Sequence, residues 1–178
     1  HVLAVVSEAA KNPEEYKYSL GDTGELLSAV EGWYQNRYGV TLQDDEILSL
    51  AGSQEGFAHV ALTLCDPGDV VLVPNPGYPV FEAGPFLNDA KIAYYELDKT
   101  NHYAPALDKI PEELAKKAKM MVVSYPLNPT CTCIEKADYG KIIAFAKKYN
   151  IAIIHDNAYS EIEYDGRTGF SFLSVPGA

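Results

Sequence analysis

The chain has 178 residues, of which 47% are hydrophobic and 22% are charged, a composition typical of a globular domain. Its net charge is −11, and its arginines are Arg37 and Arg167 alone, so the basic surface that nucleic-acid binding requires is missing. No apolar run is long enough to span a bilayer, and no basic segment precedes one. We therefore expect no nucleic-acid partner, no membrane contact and a cytoplasmic location.

The three cysteines are odd in number, and Cys131 and Cys133 are separated by one residue, too close for an ordinary disulfide. Reduced thiols in a cytoplasm fit this pattern. A C-x-C pair without a second pair of ligands does not reach the ligand number of a zinc site, so we predict no metal.

Apolar residues at helical spacing and short apolar runs alternate along the chain. In chain order they predict a helix over 2–11, a helix over 25–39, a strand over 46–52, a helix over 55–65, a strand over 70–74, a strand over 91–98, a helix over 110–119, a strand over 120–126, a helix over 133–150 and a strand over 151–156. Gly39 and Asn150 are predicted to end their helices. This order predicts a three-layer α/β/α fold with a mostly parallel sheet.

The motifs with chemical potential follow the predicted strands. In a parallel sheet with right-handed crossovers, the carboxyl ends of the strands meet at one edge, where ligands bind. Gly52, Ser53 and Gln54 follow the strand over 46–52, and Tyr78 lies in the sequence PNPGYP. Amides at a helix start favour a phosphate, and an aromatic ring stacks on a flat ligand. Ser53 as an ordinary helix cap and Tyr78 as a surface or core tyrosine remain alternatives.

The sequence NPTC follows the predicted strand over 120–126, and HDNAY begins at the end of the predicted strand over 151–156. Asn128 has an amide that donates to a phenolate oxygen, although Asn-Pro also opens turns. Asp156 ends an apolar strand, so we expect a desolvated carboxylate that needs a cationic partner, such as a pyridinium nitrogen; a simple loop cap is the alternative. Tyr159 is close enough in sequence to face the same pocket. We interpret His155 as a packed histidine on the opposite side of the strand.

Taken together, the sequences WYQNRYGV, AGSQEG, LCDPGDVVLVPNPGYPVF, YPLNPT and AIIHDNAYSEIEYDG resemble the large domain of fold-type I pyridoxal-phosphate enzymes. The chain is most similar to class I/II aminotransferases, in particular the bacterial aspartate and LL-diaminopimelate types. The resemblance covers essentially the whole chain. It implies a partial pyridoxal-phosphate-binding large domain over 1–178, truncated at both ends and without the small domain.

The resemblance also implies that seven residues contact pyridoxal 5′-phosphate. They are Gly52, Ser53 and Gln54 at the phosphate, Tyr78 on the ring face, Asn128 and Tyr159 at the phenolic oxygen, and Asp156 at the pyridine nitrogen. Tyr18, or in its place Tyr16, matches a tyrosine that reaches the phosphate of the partner subunit in a homodimer.

By the same resemblance, the parent enzyme transfers an amino group between an amino acid and a 2-oxo acid. The family's Schiff-base lysine follows a later strand in a Ser-x-Ser-Lys-like motif, and no lysine here has that context. We therefore assign no catalytic residue within this chain and expect the fragment alone to be inactive. A pyridoxal-phosphate-dependent carbon–sulfur lyase and an aminotransferase-like ligand-sensing domain of a transcriptional regulator remain alternatives. A generic nucleotide-binding domain is disfavoured, since no glycine-rich phosphate motif is present.

Three local expectations follow. The predicted strand over 46–52 should lack a ladder partner in this chain, because the family pairs it with a late strand. Asn75-Pro76 and Asn128-Pro129 should be cis, as the family geometry implies. Cys131 replaces the family's glycine in N-P-T-G, and a positive φ there would cost on the order of 1 kcal/mol.

Overall fold

Four parallel strands form the central sheet of the computed structural model, which describes residues 1–178. The strands are β1 (Val70–Asn75), β2 (Lys91–Glu96), β3 (Ala118–Ser124) and β4 (Ala152–Asp156), in the spatial order β2-β1-β3-β4. The helices are α1 (Val2–Ala9), α2 (Gly24–Tyr38), α3 (Ser53–Leu64), α4 (Ala83–Leu87), α5 (Glu112–Ala115) and α6 (Lys136–Tyr149). The predicted α/β fold is confirmed, and no helix is long and apolar enough to cross a membrane.

The central strands β1 and β3 are buried on both faces, which explains why they read as continuous apolar runs. Val71 and Val122 pack with Phe57 of α3 in one cluster of buried residues. Leu72 and Val123, which alternate with them along the strands, pack in a second cluster that includes residues of α6. A helical layer therefore covers each face of the sheet.

Helix ends follow local capping chemistry. Gly39 and Asn150 adopt left-handed conformations, with φ of 67° and 56°, and end α2 and α6 as predicted. The predicted start of α6 at 133 is wrong, because a capping box between Glu135 and Asp138 starts the helix at Lys136. The helix predicted over 110–119 is also shorter than expected, since its last two residues belong to β3.

The strand predicted over 46–52 does not form. Its residues run as irregular backbone after a short 3₁₀ turn, and the side chains of Leu48 and Leu50 are 79% and 44% exposed. An apolar run becomes a strand only when a neighbour accepts its backbone hydrogen bonds, and this segment pairs with no strand of the sheet. The expectation that it lacks a ladder partner is confirmed, and Gly52–Gln54 consequently do not follow a strand.

The local backbone expectations hold. Asn75-Pro76 and Asn128-Pro129 are both cis, and Tyr125-Pro126 is a third cis bond that the sequence did not indicate. Cys131 has a φ of 58°, in the left-handed region that favours glycine.

Candidate functional site

The carboxyl edge of the sheet carries a partly buried carboxylate. Ser124 and Asp156 end β3 and β4 and pair directly in the register of the two strands. Burial raises the pKa of Asp156, and hydrogen bonds from the Ser124 hydroxyl and the Ala158 amide partly offset that rise. Asp156 makes no ion pair within 4.0 Å, so its charge is compensated by hydrogen bonds alone. A cationic ligand would stabilise the ionised form.

A groove of about 400 Å³ places Ser53 and Asp156 in the same cavity wall, although 102 residues separate them in sequence. Leu50, Gly56 and Phe57 supply part of the apolar lining. This is the space in which one ligand can meet both the start of α3 and the carboxylate at the end of β4.

The start of α3 presents amides in the form that anions prefer. Gly52 is the residue before the helix, with a φ of 90° and no capping side chain, so Ser53 is the first helical residue and the alternative interpretation of Ser53 as the helix cap is wrong. The backbone amides of Ser53 and Gln54 lie in the first turn, where N–H groups have no partner within the helix. Glu55 turns back and accepts a hydrogen bond from the amide of Ala51 over 2.6 Å, which fixes the turn.

Tyr78 is held by the loop that follows β1. Asn75 donates from its side chain to both carboxylate oxygens of Glu96, at 2.9 and 3.0 Å, and thereby joins the ends of β1 and β2. A Cβ at Gly77 would lie 2.5 Å from the carbonyl oxygen of Pro74, so the tight turn before Tyr78 requires glycine. The Tyr78 ring is 36% exposed, and its hydroxyl accepts a hydrogen bond from Gln54 over 3.1 Å.

A second groove, of about 520 Å³, lies beside the first and contains Asn128 and Tyr159. The amide nitrogen of Asn128 is 3.4 Å from the Tyr159 hydroxyl, so two hydrogen-bond donors converge on one region. Cys131 and Arg167 also line this groove. Tyr159 lines this groove and Asp156 lines the first, and the segment 156–159 connects the two.

His155 is packed, as predicted. Its Nε2 is 3.3 Å from the Tyr139 hydroxyl, and its ring lies against Tyr139 and Phe172 with centroids 5.4 Å away in both cases. Burial lowers the pKa of His155 to about 4. The ring is therefore neutral at physiological pH and serves the core.

Sequence reasoning missed two sets of contacts. Ser124, the donor to Asp156, could have been found by aligning the ends of the two predicted strands, because they pair in register. Tyr38 contacts Asn157 and Ser160 across more than 100 residues of sequence, and no local pattern indicates such a contact. The side-chain oxygen of Asn157 is buried without a hydrogen-bond partner.

Comparison with known proteins gives a consistent result. The sequence profile of the aminotransferase class I and II family matches residues 1–175. The LL-diaminopimelate aminotransferases of Syntrophobacter fumaroxidans and Moorella thermoacetica are 39% and 41% identical to this chain, over 100% of its length and 46% of theirs. This chain therefore spans about half the length of the curated relatives that it matches.

Solved structures agree with the sequence comparison. Substrate-bound BacF from Bacillus subtilis superposes with a TM-score of 0.92 at 36% identity, over 99% of this chain and 45% of that protein. A probable N-succinyldiaminopimelate aminotransferase from Thermus thermophilus superposes with a TM-score of 0.90 at 32% identity, over 99% of this chain and 48% of that protein.

Proposed function

Because this chain belongs to the aminotransferase class I and II family, we propose that it binds pyridoxal 5′-phosphate at the carboxyl edge of its sheet. It forms the cofactor-binding part of an enzyme that transfers an amino group between an amino acid and a 2-oxo acid. The observation that carries the proposal is Asp156, a partly buried carboxylate without a cationic partner, in one groove with the first turn of α3.

The chemistry of the donors present fits the cofactor. The amides of Gly52, Ser53 and Gln54, with the Ser53 hydroxyl, would hold the phosphate, since helix starts bind anions. The exposed ring of Tyr78 would lie on the face of the pyridine ring, and its hydrogen bond from Gln54 would join the stacking and phosphate ends of the site.

The remaining contacts would stabilise the charges on the ring nitrogen and the phenolic oxygen of the cofactor. The carboxylate of Asp156 would hold a proton on the pyridine nitrogen, while Asn128 and Tyr159 would donate hydrogen bonds to the phenolic oxygen. When bound, the cofactor supplies an electron sink for negative charge at the substrate's α-carbon. Asp156 would therefore contribute to rate as well as to affinity.

The group that moves the α-proton is not assigned within these residues. All lysines of the chain lie on helices, on loops or at strand positions away from the family's lysine context. We expect the 178 residues by themselves to catalyse no transamination, which an assay of the purified polypeptide would check.

We propose the amino donor and the oligomeric state from the similarity of this chain to its relatives. The names of the curated relatives support LL-diaminopimelate as the amino donor. Neither the lyase nor the sensor alternative is favoured by any of these relatives. We also propose a cytoplasmic homodimer, in which the 96% exposed Tyr18 reaches the phosphate in the partner subunit.

The test is a donor panel assayed with the full-length enzyme loaded with pyridoxal 5′-phosphate. We expect formation of the 2-oxo product from LL-diaminopimelate, with Asp156→Asn strongly impaired and an Asp108→Asn variant, outside both grooves, unchanged. Turnover of other amino acids alone would overturn the donor assignment. Elimination without amino transfer would favour the lyase, and no turnover of any donor despite tight cofactor binding would favour a sensor.

A further inference from the structure

The last turn of α2 contacts the segment 157–161, which directly follows Asp156 and includes Tyr159. The hydroxyl of Tyr38 lies 3.4 Å from the Asn157 side-chain nitrogen, 3.1 Å from the Ser160 hydroxyl and 3.3 Å from a carboxylate oxygen of Glu161. A phenol has one hydrogen to donate and two lone pairs to accept. Donation to Glu161 and acceptance from Asn157 and Ser160 therefore saturate the Tyr38 hydroxyl.

An ion pair reinforces this contact. Arg37 Nη2 lies 2.9 Å from Glu161 Oε1, and its Nε lies 3.0 Å from the same oxygen. The guanidinium carbon of Arg37 is 4.8 Å from the centroid of the Tyr38 ring, a cation–π distance. The Arg37 side chain thus fixes both the carboxylate that Tyr38 contacts and the ring of Tyr38 itself.

Regular backbone structure contributes little to the segment, although Gly169 packs closely against Ser160. β4 ends at Asp156, and after it the backbone forms only a short 3₁₀ turn over Ser160–Ile162. No sheet ladder continues into it, so the side-chain contacts of Tyr38 contribute to its position. The segment directly follows Asp156, which lines the first groove, and it contains Tyr159, which lines the second.

We propose that Tyr38, supported by Arg37, is a positioning residue for Asp156 and Tyr159, and thus for the ring end of the cofactor site. This inference rests on the proposed function, since it assigns a role toward the same cofactor. Tyr38 itself lines neither groove, but it contacts Asn157, which lines the groove of Asp156. It acts through Asn157, Ser160 and Glu161, which set the position of the Tyr159 hydroxyl opposite Asn128.

The test compares Tyr38→Phe with Tyr34→Phe in the full-length protein. Both changes delete one hydroxyl from α2, but of the two hydroxyls only that of Tyr38 hydrogen-bonds the segment. We expect Tyr38→Phe alone to accelerate amide hydrogen exchange at 157–161 in the cofactor-free protein. It should also weaken pyridoxal 5′-phosphate binding about fivefold, the loss of roughly one net hydrogen bond.

A third readout separates positioning from general stability. If Tyr159 loses its alignment, its hydrogen bond to the ionised phenolic oxygen of the cofactor weakens. The pH midpoint of the absorbance change of the bound cofactor should therefore rise in Tyr38→Phe. It should stay unchanged in Tyr34→Phe. Unchanged exchange at 157–161 in Tyr38→Phe would overturn the positioning role, whether or not cofactor binds. Equal effects of the two variants would overturn it as well. Failure of the wild-type protein to bind pyridoxal 5′-phosphate would instead overturn the proposed function.

Discussion

The hydroxyl of Ser124 donates a hydrogen bond to Oδ2 of Asp156 over 3.1 Å and so joins the last residues of β3 and β4. Together with the amide of Ala158, this bond stabilises the ionised carboxylate, but burial outweighs both and raises the pKa of Asp156. A carboxylate held in place and left short of positive charge is suited to binding a protonated ring nitrogen.

Asp156→Asn should stabilise the cofactor-free protein and weaken cofactor binding. Folding raises the pKa of Asp156 above its ordinary value of 3.8, so the folded protein binds this proton more tightly than the unfolded chain does. The free energy of unfolding therefore falls as the pH rises above 3.8 and the carboxyl group ionises. Urea unfolding should therefore show the variant more stable than wild type at pH 7 and no more stable at pH 3. Binding of pyridoxal 5′-phosphate should weaken tenfold or more, since a charged hydrogen bond is lost. Wild-type affinity in the variant would contradict the assignment.

Gly77→Ala should disturb the loop that carries Tyr78. The added Cβ would lie 2.5 Å from the Pro74 carbonyl oxygen, so the loop must shift, at a cost of roughly 1–3 kcal/mol in the free energy of unfolding. Gly140→Ala on α6 is the control, because nothing lies within 4 Å of its Cβ; it should gain about 0.5–1 kcal/mol. Chemical denaturation measures both, and a neutral Gly77→Ala would refute the close approach.

Cys131→Gly should raise the free energy of unfolding by about 0.5–1 kcal/mol, because a φ of 58° is strained for a residue with a Cβ. Cys131→Ala keeps the Cβ and removes the thiol, so it should give no comparable gain. Thermal unfolding of the two variants separates backbone strain from thiol chemistry; equal stabilisation by both would show that the thiol is responsible.

His155→Gln should flatten the acid limb of the stability profile. Burial lowers the pKa of His155 from 6.5 to about 4, so folding keeps the ring neutral where the unfolded chain binds a proton. Stability from this group is complete above pH 6.5 and is lost as pH falls toward 4, by at most about 3 kcal/mol. Denaturant titrations at pH 7 and pH 4.5 should show a smaller difference for the variant than for wild type. An equal difference in variant and wild type would contradict the buried, neutral state of His155.

The central strands β1 and β3 were predictable because they are buried on both faces, so that their apolar composition identifies them. β1 and β4 begin and end within one residue of the predicted bounds. The positions of Asn128 and Asp156 at the carboxyl edge followed from the parallel topology. The strand predicted over 46–52 was wrong for a physical reason. Its apolar residues match those of a strand, but a strand also needs a neighbouring strand to pair with, and a local sequence does not show whether one is present.

Contacts between side chains that are distant in sequence could not be predicted. The division of Asp156 and Tyr159 between two grooves depends on the path of the chain after β4. Tyr38, which contacts that segment, lies 119 residues before Asn157. Periodicity reports the local conformation of each segment and carries no information about such a pairing.

A crystal structure of the full-length protein with pyridoxal 5′-phosphate tests the central claim most directly. We predict the pyridine nitrogen within hydrogen-bond distance of the Asp156 carboxylate, the phosphate at the amides of Ser53 and Gln54, and the phenolic oxygen facing Asn128 and Tyr159. A cofactor bound elsewhere, or bound here with its ring nitrogen away from Asp156, would contradict this account.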